Sequence, residues 1–228
     1  SAPANDLQHT LMSARARALS ADGVDSLRAL VREAEGTIGD RLRQAGALYA
    51  GTLAASRLRE PAVAQRLLAR LEPLVAGEER SARYGRLLAA ELALAANDAA
   101  RVSALVQGAA PTDRPELLMG AQAAVKVGRP AEASQRLQTW VALHPGDATA
   151  WQALASALHA QGEGQVLRAI RAEAEAQVAR LDYGAAMDRL RAAQALARRP
   201  GADHFEASII DTRARQVDSL LREQALER

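Results

Sequence analysis

The stretch HPGDATAWQALASALHAQGEG, residues 144–164, decides the fold. Pro145 and Asp147 mark a turn and a helix start. Trp151, Leu154, Ala155 and Leu158 then recur at helical spacing, and Gly162 closes the run. Moved back by 34 residues the pattern returns: Leu117 stands with Trp151, Ala121 with Ala155, Ala124 with Leu158 and Gly128 with Gly162. Further back, Pro61-Ala62-Val63-Ala64 matches Pro130-Ala131-Glu132-Ala133 at a separation of 69, close to twice that period. Further on, LDYGAAMDRLRAA (residues 181–193) repeats a turn followed by a helix of small residues. A period of this length built from two helices describes a stack of helical pairs, each burying its apolar face against the next.

Composition agrees. Aromatic residues make up 3% of the chain, alanine and leucine dominate, and β-branched residues never alternate over a useful run. Small side chains let helix axes approach closely, so the class is all-α. The formal charge is +2, Lys126 is the sole lysine, and acidic and basic residues are mixed throughout. A pI near 9.5 therefore reflects arginine rather than a nucleic-acid footprint. Cysteine is absent, which excludes disulfides, thiolate metal sites and a cysteine nucleophile, and fits any compartment. No run of 18 apolar residues is present, so no membrane-spanning segment is expected. The start, SAPANDLQHT, reads as no signal peptide, and without an initiator methionine the chain is expected to be a fragment.

In detail the repeat resembles the tetratricopeptide repeat. Trp151, Leu154, Ala155, Leu158 and Gly162 stand where its first helix and turn want W, L, G or A, Y and G. The preceding unit matches with Leu117, Gly120, Ala121, Ala124, Gly128, Ala133, Leu137 and the closing Pro145, while Trp140 departs from the pattern. The expected architecture is a single tetratricopeptide-like solenoid over residues 1–228, about twelve helices in roughly six antiparallel pairs. Residues 5–110 are degenerate repeats, 114–198 clear repeats and 202–226 a capping helix with Ile210, Ala214, Val217 and Leu221 on one stripe. Asp113 with Glu116, and Asp203 with Glu206, are spaced as capping boxes. Residues 169–193 read as one long helix serving two repeats, followed by a turn and helix. Trp151 is expected in the wall between its own repeat and the next.

Chemistry is sparse. His9, His144, His159 and His204 form no H-E-x-x-H pair, and no nucleophile elbow or phosphate loop exists. Glu173 with Glu175, and Glu78 with Glu79, are spaced wrongly for a carboxylate dyad and read as solvated faces. His144 and His204 read as solvated turn residues. No catalytic, cofactor or metal residue is assigned, and this chain is expected not to be an enzyme. What remains is surface. In tetratricopeptide proteins the first helix of each pair lines the concave side. On the two clear repeats, the positions that the resemblance places in that groove are Gln122, Val125, Gln152, Ser156 and His159. Amides, a hydroxyl and an imidazole suit the donors and acceptors of a bound peptide backbone. The competing reading is that they are merely exposed polar residues.

Residues 169–193 (AIRAEAEAQVARLDYGAAMDRLRAA), then DHFEASIIDTRARQVDSL (203–220) and, near the start, LQHTLMSARARAL (7–19), narrow the likeness. In that order they resemble the C-terminal repeat region of periplasmic zinc metalloproteases of the beta-barrel assembly-enhancing kind. The resemblance implies an upstream gluzincin domain with H-E-x-x-H and zinc, hence a full-length zinc metallopeptidase. It also implies a repeat domain that recruits outer-membrane proteins under assembly and contacts the barrel-assembly machinery, in the periplasm. The zinc ligands have no positions here. An independent repeat adaptor in secretion or envelope assembly is the alternative. Separation from a protease domain would leave Leu7, Leu11 and Leu19 as an exposed apolar surface.

Overall fold

The computed structural model describes residues 2–227, with side chains from Asp6 onward. Among the described residues the chain is all-α, without strands, and contains twelve α-helices. They are α1 (Ala2–Ser20), α2 (Gly23–Gly36), α3 (Arg41–Arg57), α4 (Pro61–Val75), α5 (Glu79–Ala95), α6 (Ala99–Val106), α7 (Arg114–Lys126), α8 (Pro130–Leu143), α9 (Ala148–His159), α10 (Val166–Ala179), α11 (Tyr183–Ala197) and α12 (His204–Leu226). From α2 to α6 and from α7 to α12 each helix packs on the next, the neighbour-on-neighbour order of a helical repeat. Turns of a few residues make such partners antiparallel. Two compact units divide the chain between Gln107 and Gly108.

Recurrent turn chemistry sets the helix ends. Asp40, Asp98, Asp147 and Asp182 each accept a hydrogen bond from the backbone N–H three residues on, at 2.9–3.1 Å. Such a cap satisfies one of the helix's orphan donors and stabilises it by about 1 kcal/mol. At the other ends Arg59, Asn97, Gly128 and Leu181 all take positive φ, and the next N–H closes onto a carbonyl one turn back. The turn at Leu181 ends α10 at Ala179, and Asp182 starts α11. The turn and second helix expected over this stretch are present, and the helix before them is shorter than expected, α10 having 14 residues.

The capping box expected at Asp203 and Glu206 closes by half. Asp203 does cap α12, accepting from Phe205 and Glu206 N–H, but the Glu206 carboxylate turns away to Arg171. The Asp113 Oδ2 accepts from Ala110 N–H, in the preceding loop, while Glu116 is buried. At α12 the tertiary partner Arg171 takes the carboxylate that the local reciprocal bond would use.

In the first unit α3 is the axis. Its residues 45–55 are all buried, because α1, α2 and α4 pack around it. A helix surrounded this way needs small residues, and Ala45, Gly46, Ala47, Ala50, Gly51, Ala54 and Ala55 supply them. Leu7 and Leu11 of α1 are buried in the same core; only Leu19, of the three N-terminal leucines, is exposed. The apolar surface anticipated from these leucines is thus largely internal.

In the second unit one cluster joins α7 to α10 around Leu137, Val141, Leu154 and Leu158. Trp151 (8% exposed) and Trp140 (9%) belong to it, and both indole N–H groups are satisfied. Trp151 is wall. A second cluster joins α10, α11 and α12, where Ile210, Ala214 and Val217 are buried and Leu221 packs alongside.

Candidate functional site

Gln152, Ser156 and His159 occupy one row of α9 at helical spacing, and all three are exposed. Ser156 Oγ donates to the Gln152 carbonyl at 3.1 Å, which leaves its lone pairs and the Gln152 amide facing outward. Gln122 is exposed on α7, which packs beside α9. It stands 34 residues before Ser156, hence at the same repeat position. Val125, in the same relation to His159, is half-buried against the α7–α10 core, so its side chain goes into packing.

The row ends in a charged group that sequence reasoning missed. His159 Nε2 lies 2.7 Å from Glu173 Oε1, and the other Glu173 oxygen lies 3.4 Å from Arg189 Nη1. Three successive helices, α9, α10 and α11, are thereby linked at the surface. Glu173 is not the merely solvated carboxylate expected of it, and neither is Glu175. Arg213 grips both Glu175 oxygens, at 2.5 and 3.0 Å, and Arg171 holds Glu206, 5% exposed, at 2.5 Å. The cause is the position of α10, which touches α9 and α11 on some faces and α12 on another. Because 173 and 175 point to different sides of the helix, each meets a different neighbour. No spacing within one helix announces such pairs.

At the start of α9, Asp147 ties three helices. Its carboxylate accepts from Arg114 at 2.7 and 3.0 Å, from the Trp140 indole at 2.9 Å and from Ala150 N–H at 3.1 Å. Arg114 above all, then the indole and backbone N–H groups, hold its pKa well below the ordinary carboxylate range, against the opposing cost of burial. His144, exposed in the following turn, stacks on Trp140 with ring centroids 3.7 Å apart. Trp140 thus spans from α8 to the cap of α9. His204 opens α12 and His9 is exposed on α1.

Among the described residues no three His, Cys, Asp or Glu side chains are grouped to hold a metal ion, and no helix is long and apolar enough to cross a membrane. A cleft of about 220 Å³ lies beside α2, lined by Arg28, Val31, Arg32, Glu60 and Val63. It is smaller than ordinary ligand pockets. Compared with protein-family models and with curated proteins, the chain matches none.

Proposed function

We propose that this chain is a tetratricopeptide-like interaction domain that does no chemistry itself. It recruits substrate or partner proteins for an attached periplasmic zinc metalloprotease engaged in outer-membrane protein assembly and quality control. The observation that carries the recruiting role is the α9 row. Gln152, Ser156 and His159 present amide, hydroxyl and imidazole groups in line along one helix, beside exposed Gln122 of α7. A row of donors and acceptors matches the backbone groups of an extended or unfolded segment, and many weak contacts of this kind add up to useful affinity. Unfolded outer-membrane proteins and the barrel-assembly machinery are the partners that fit this reading. The protease attachment and the periplasmic setting rest on the likeness of residues 7–19, 169–193 and 203–220 to such proteases. Zinc belongs to the protease part.

The mass and zinc content of the native protein test the attachment. Captured with an antibody against this 24.2 kDa chain, the product is expected at roughly twice that mass with about one zinc per molecule. A zinc-free product no larger than this chain would contradict the attachment and leave a free-standing adaptor.

A further inference from the structure

The direction of hydrogen bonding along the α9 row is set by what lies behind it. The Ser156 hydroxyl has one proton, and a carbonyl only accepts, so that proton is spent on the Gln152 carbonyl at 3.1 Å. A neutral imidazole likewise carries one proton. An ionised carboxylate only accepts, so the 2.7 Å contact with Glu173 Oε1 places that proton on His159 Nε2. Nδ1 then holds the lone pair, without a partner among the described residues and in a side chain 43% exposed. Ser156 Oγ and His159 Nδ1 are thus both acceptors, three residues apart on one helix. The Gln152 amide, one turn before Ser156, also lacks a side-chain partner among the described residues and is free to turn its carbonyl outward.

Charge and spacing narrow what such a row reads. Glu173 is matched on its other oxygen by Arg189 at 3.4 Å, and α9 itself carries no Asp, Glu, Lys or Arg. A cationic side chain would find acceptors here but no spare counter-charge, whereas uncharged N–H groups need only the acceptors. Residues three or four apart on a helix stand about 5–6 Å apart, and N–H groups on one edge of an extended chain recur about every 7 Å, each residue advancing about 3.3 Å. The flexible ends of the side chains take up the difference. The intervening carbonyls of that edge stay open to water, because the row is exposed.

We propose that the α9 row recognises the backbone N–H groups along one unpaired edge of an extended segment, and that Glu173 is the positioning residue that holds His159 in its accepting tautomer. A β-strand exposes such an edge until it pairs. The inference rests on the reading of the row as a receptor for unfolded chains, and adds which groups of the segment it reads.

Two measurements test it. Nitrogen NMR of the free protein at about pH 9, where an ordinary imidazole is neutral, reads the tautomer directly. His159 should show a protonated Nε2 and a bare Nδ1; a protonated Nδ1 would overturn the proposal. Glu173→Arg combined with Arg189→Glu keeps opposite charges together but offers Nε2 a donor, so the proton should move to Nδ1. A proton that stays on Nε2 in this exchanged chain would overturn the role of Glu173.

The second measurement compares two labelled probes, a peptide of alternating threonine and valine and its depsipeptide twin, in which ester oxygens replace the backbone N–H groups. The amide peptide should bind the unaltered chain about tenfold more tightly than the ester, two lost hydrogen bonds being worth roughly that factor. That preference should vanish in the chain carrying Ser156→Ala and His159→Phe, both at exposed positions, and shrink in the exchanged chain. Equal binding of the two probes by the unaltered chain would overturn the acceptor assignment while leaving the row a receptor of another kind. A preference that survives Ser156→Ala with His159→Phe would place N–H recognition elsewhere and overturn it too. Binding of neither probe would overturn the receptor reading itself, and this inference with it.

Discussion

Replacing Gly51 with alanine is expected to destabilise the first unit by about 1–3 kcal/mol, although alanine is the better helix former. Intrinsic propensity alone favours the substitution by roughly 1 kcal/mol. Packing reverses the sign. A methyl at 51 would run into the Ala34 Cβ of α2 and lie 3.2 Å from the Leu30 carbonyl and 3.3 Å from Leu67 Cδ1. Two of these three obstacles are fixed to the α2 backbone, so α2 and α3 must separate along a buried seam that includes Val31, Leu48 and Leu53. Gly184→Ala is the control, since a Cβ there meets nothing closer than 3.7 Å. It should leave stability unchanged or slightly raised. Urea unfolding followed by far-ultraviolet circular dichroism reads both; a Gly51→Ala midpoint at or above that of the parent would contradict the close α2–α3 packing.

Asp147→Ala should cost the second unit about 2–4 kcal/mol, because it removes a helix cap and also strands a buried-side partner. Arg114 loses both of its charge-assisted bonds and the Trp140 indole N–H, in a side chain 9% exposed, loses its acceptor. Both tryptophans of the chain lie in this unit, so fluorescence isolates its transition. Asp147→Asn keeps a cap oxygen and deletes the charge, and its pH dependence carries the sign. The folded carboxyl titrates below the unfolded value of about 3.9, so its contribution is complete above that value and is lost as the pH falls toward the folded one. The stability gap between parent and Asp147→Asn should therefore hold constant from neutral pH to about 5 and narrow below about 4. A gap unchanged down to pH 2 would show that the charge on Asp147 contributes nothing.

How far the sequence could be read follows from the range of each interaction. The 34-residue correspondence of Leu117, Ala121, Ala124 and Gly128 with Trp151, Ala155, Leu158 and Gly162 depends only on local period, and the helices it implies are present. The stripe of α12 was equally visible, and Ile210, Ala214 and Val217 are indeed buried. The row Gln152, Ser156 and His159 was visible as a row, because helical spacing alone sets it. Glu173 beside His159 was not: the two are 14 residues apart on different helices, and only the crossing of α9 and α10 joins them. The Arg171–Glu206 and Arg213–Glu175 pairs, 35 and 38 residues apart, depend likewise on how α10 is rotated against α12. In the sequence Asp147 marks only a turn; its ties to Arg114 and Trp140 need three helix ends brought to one point. The seating of α1 on α3 and α5 was hidden because the repeats before residue 110 drift in period and give no register.

The most direct test of the central claim, that the α9 row receives a protein partner, is site-specific photocrosslinking. A photoreactive residue is placed at Gln152, at His159 and, for comparison, at Arg136, exposed on α8. Each chain is then exposed to an outer-membrane β-barrel protein freshly diluted from denaturant. The account predicts adducts from positions 152 and 159 and none above background from 136. Equal labelling at all three positions, or none at 152 and 159, would contradict it.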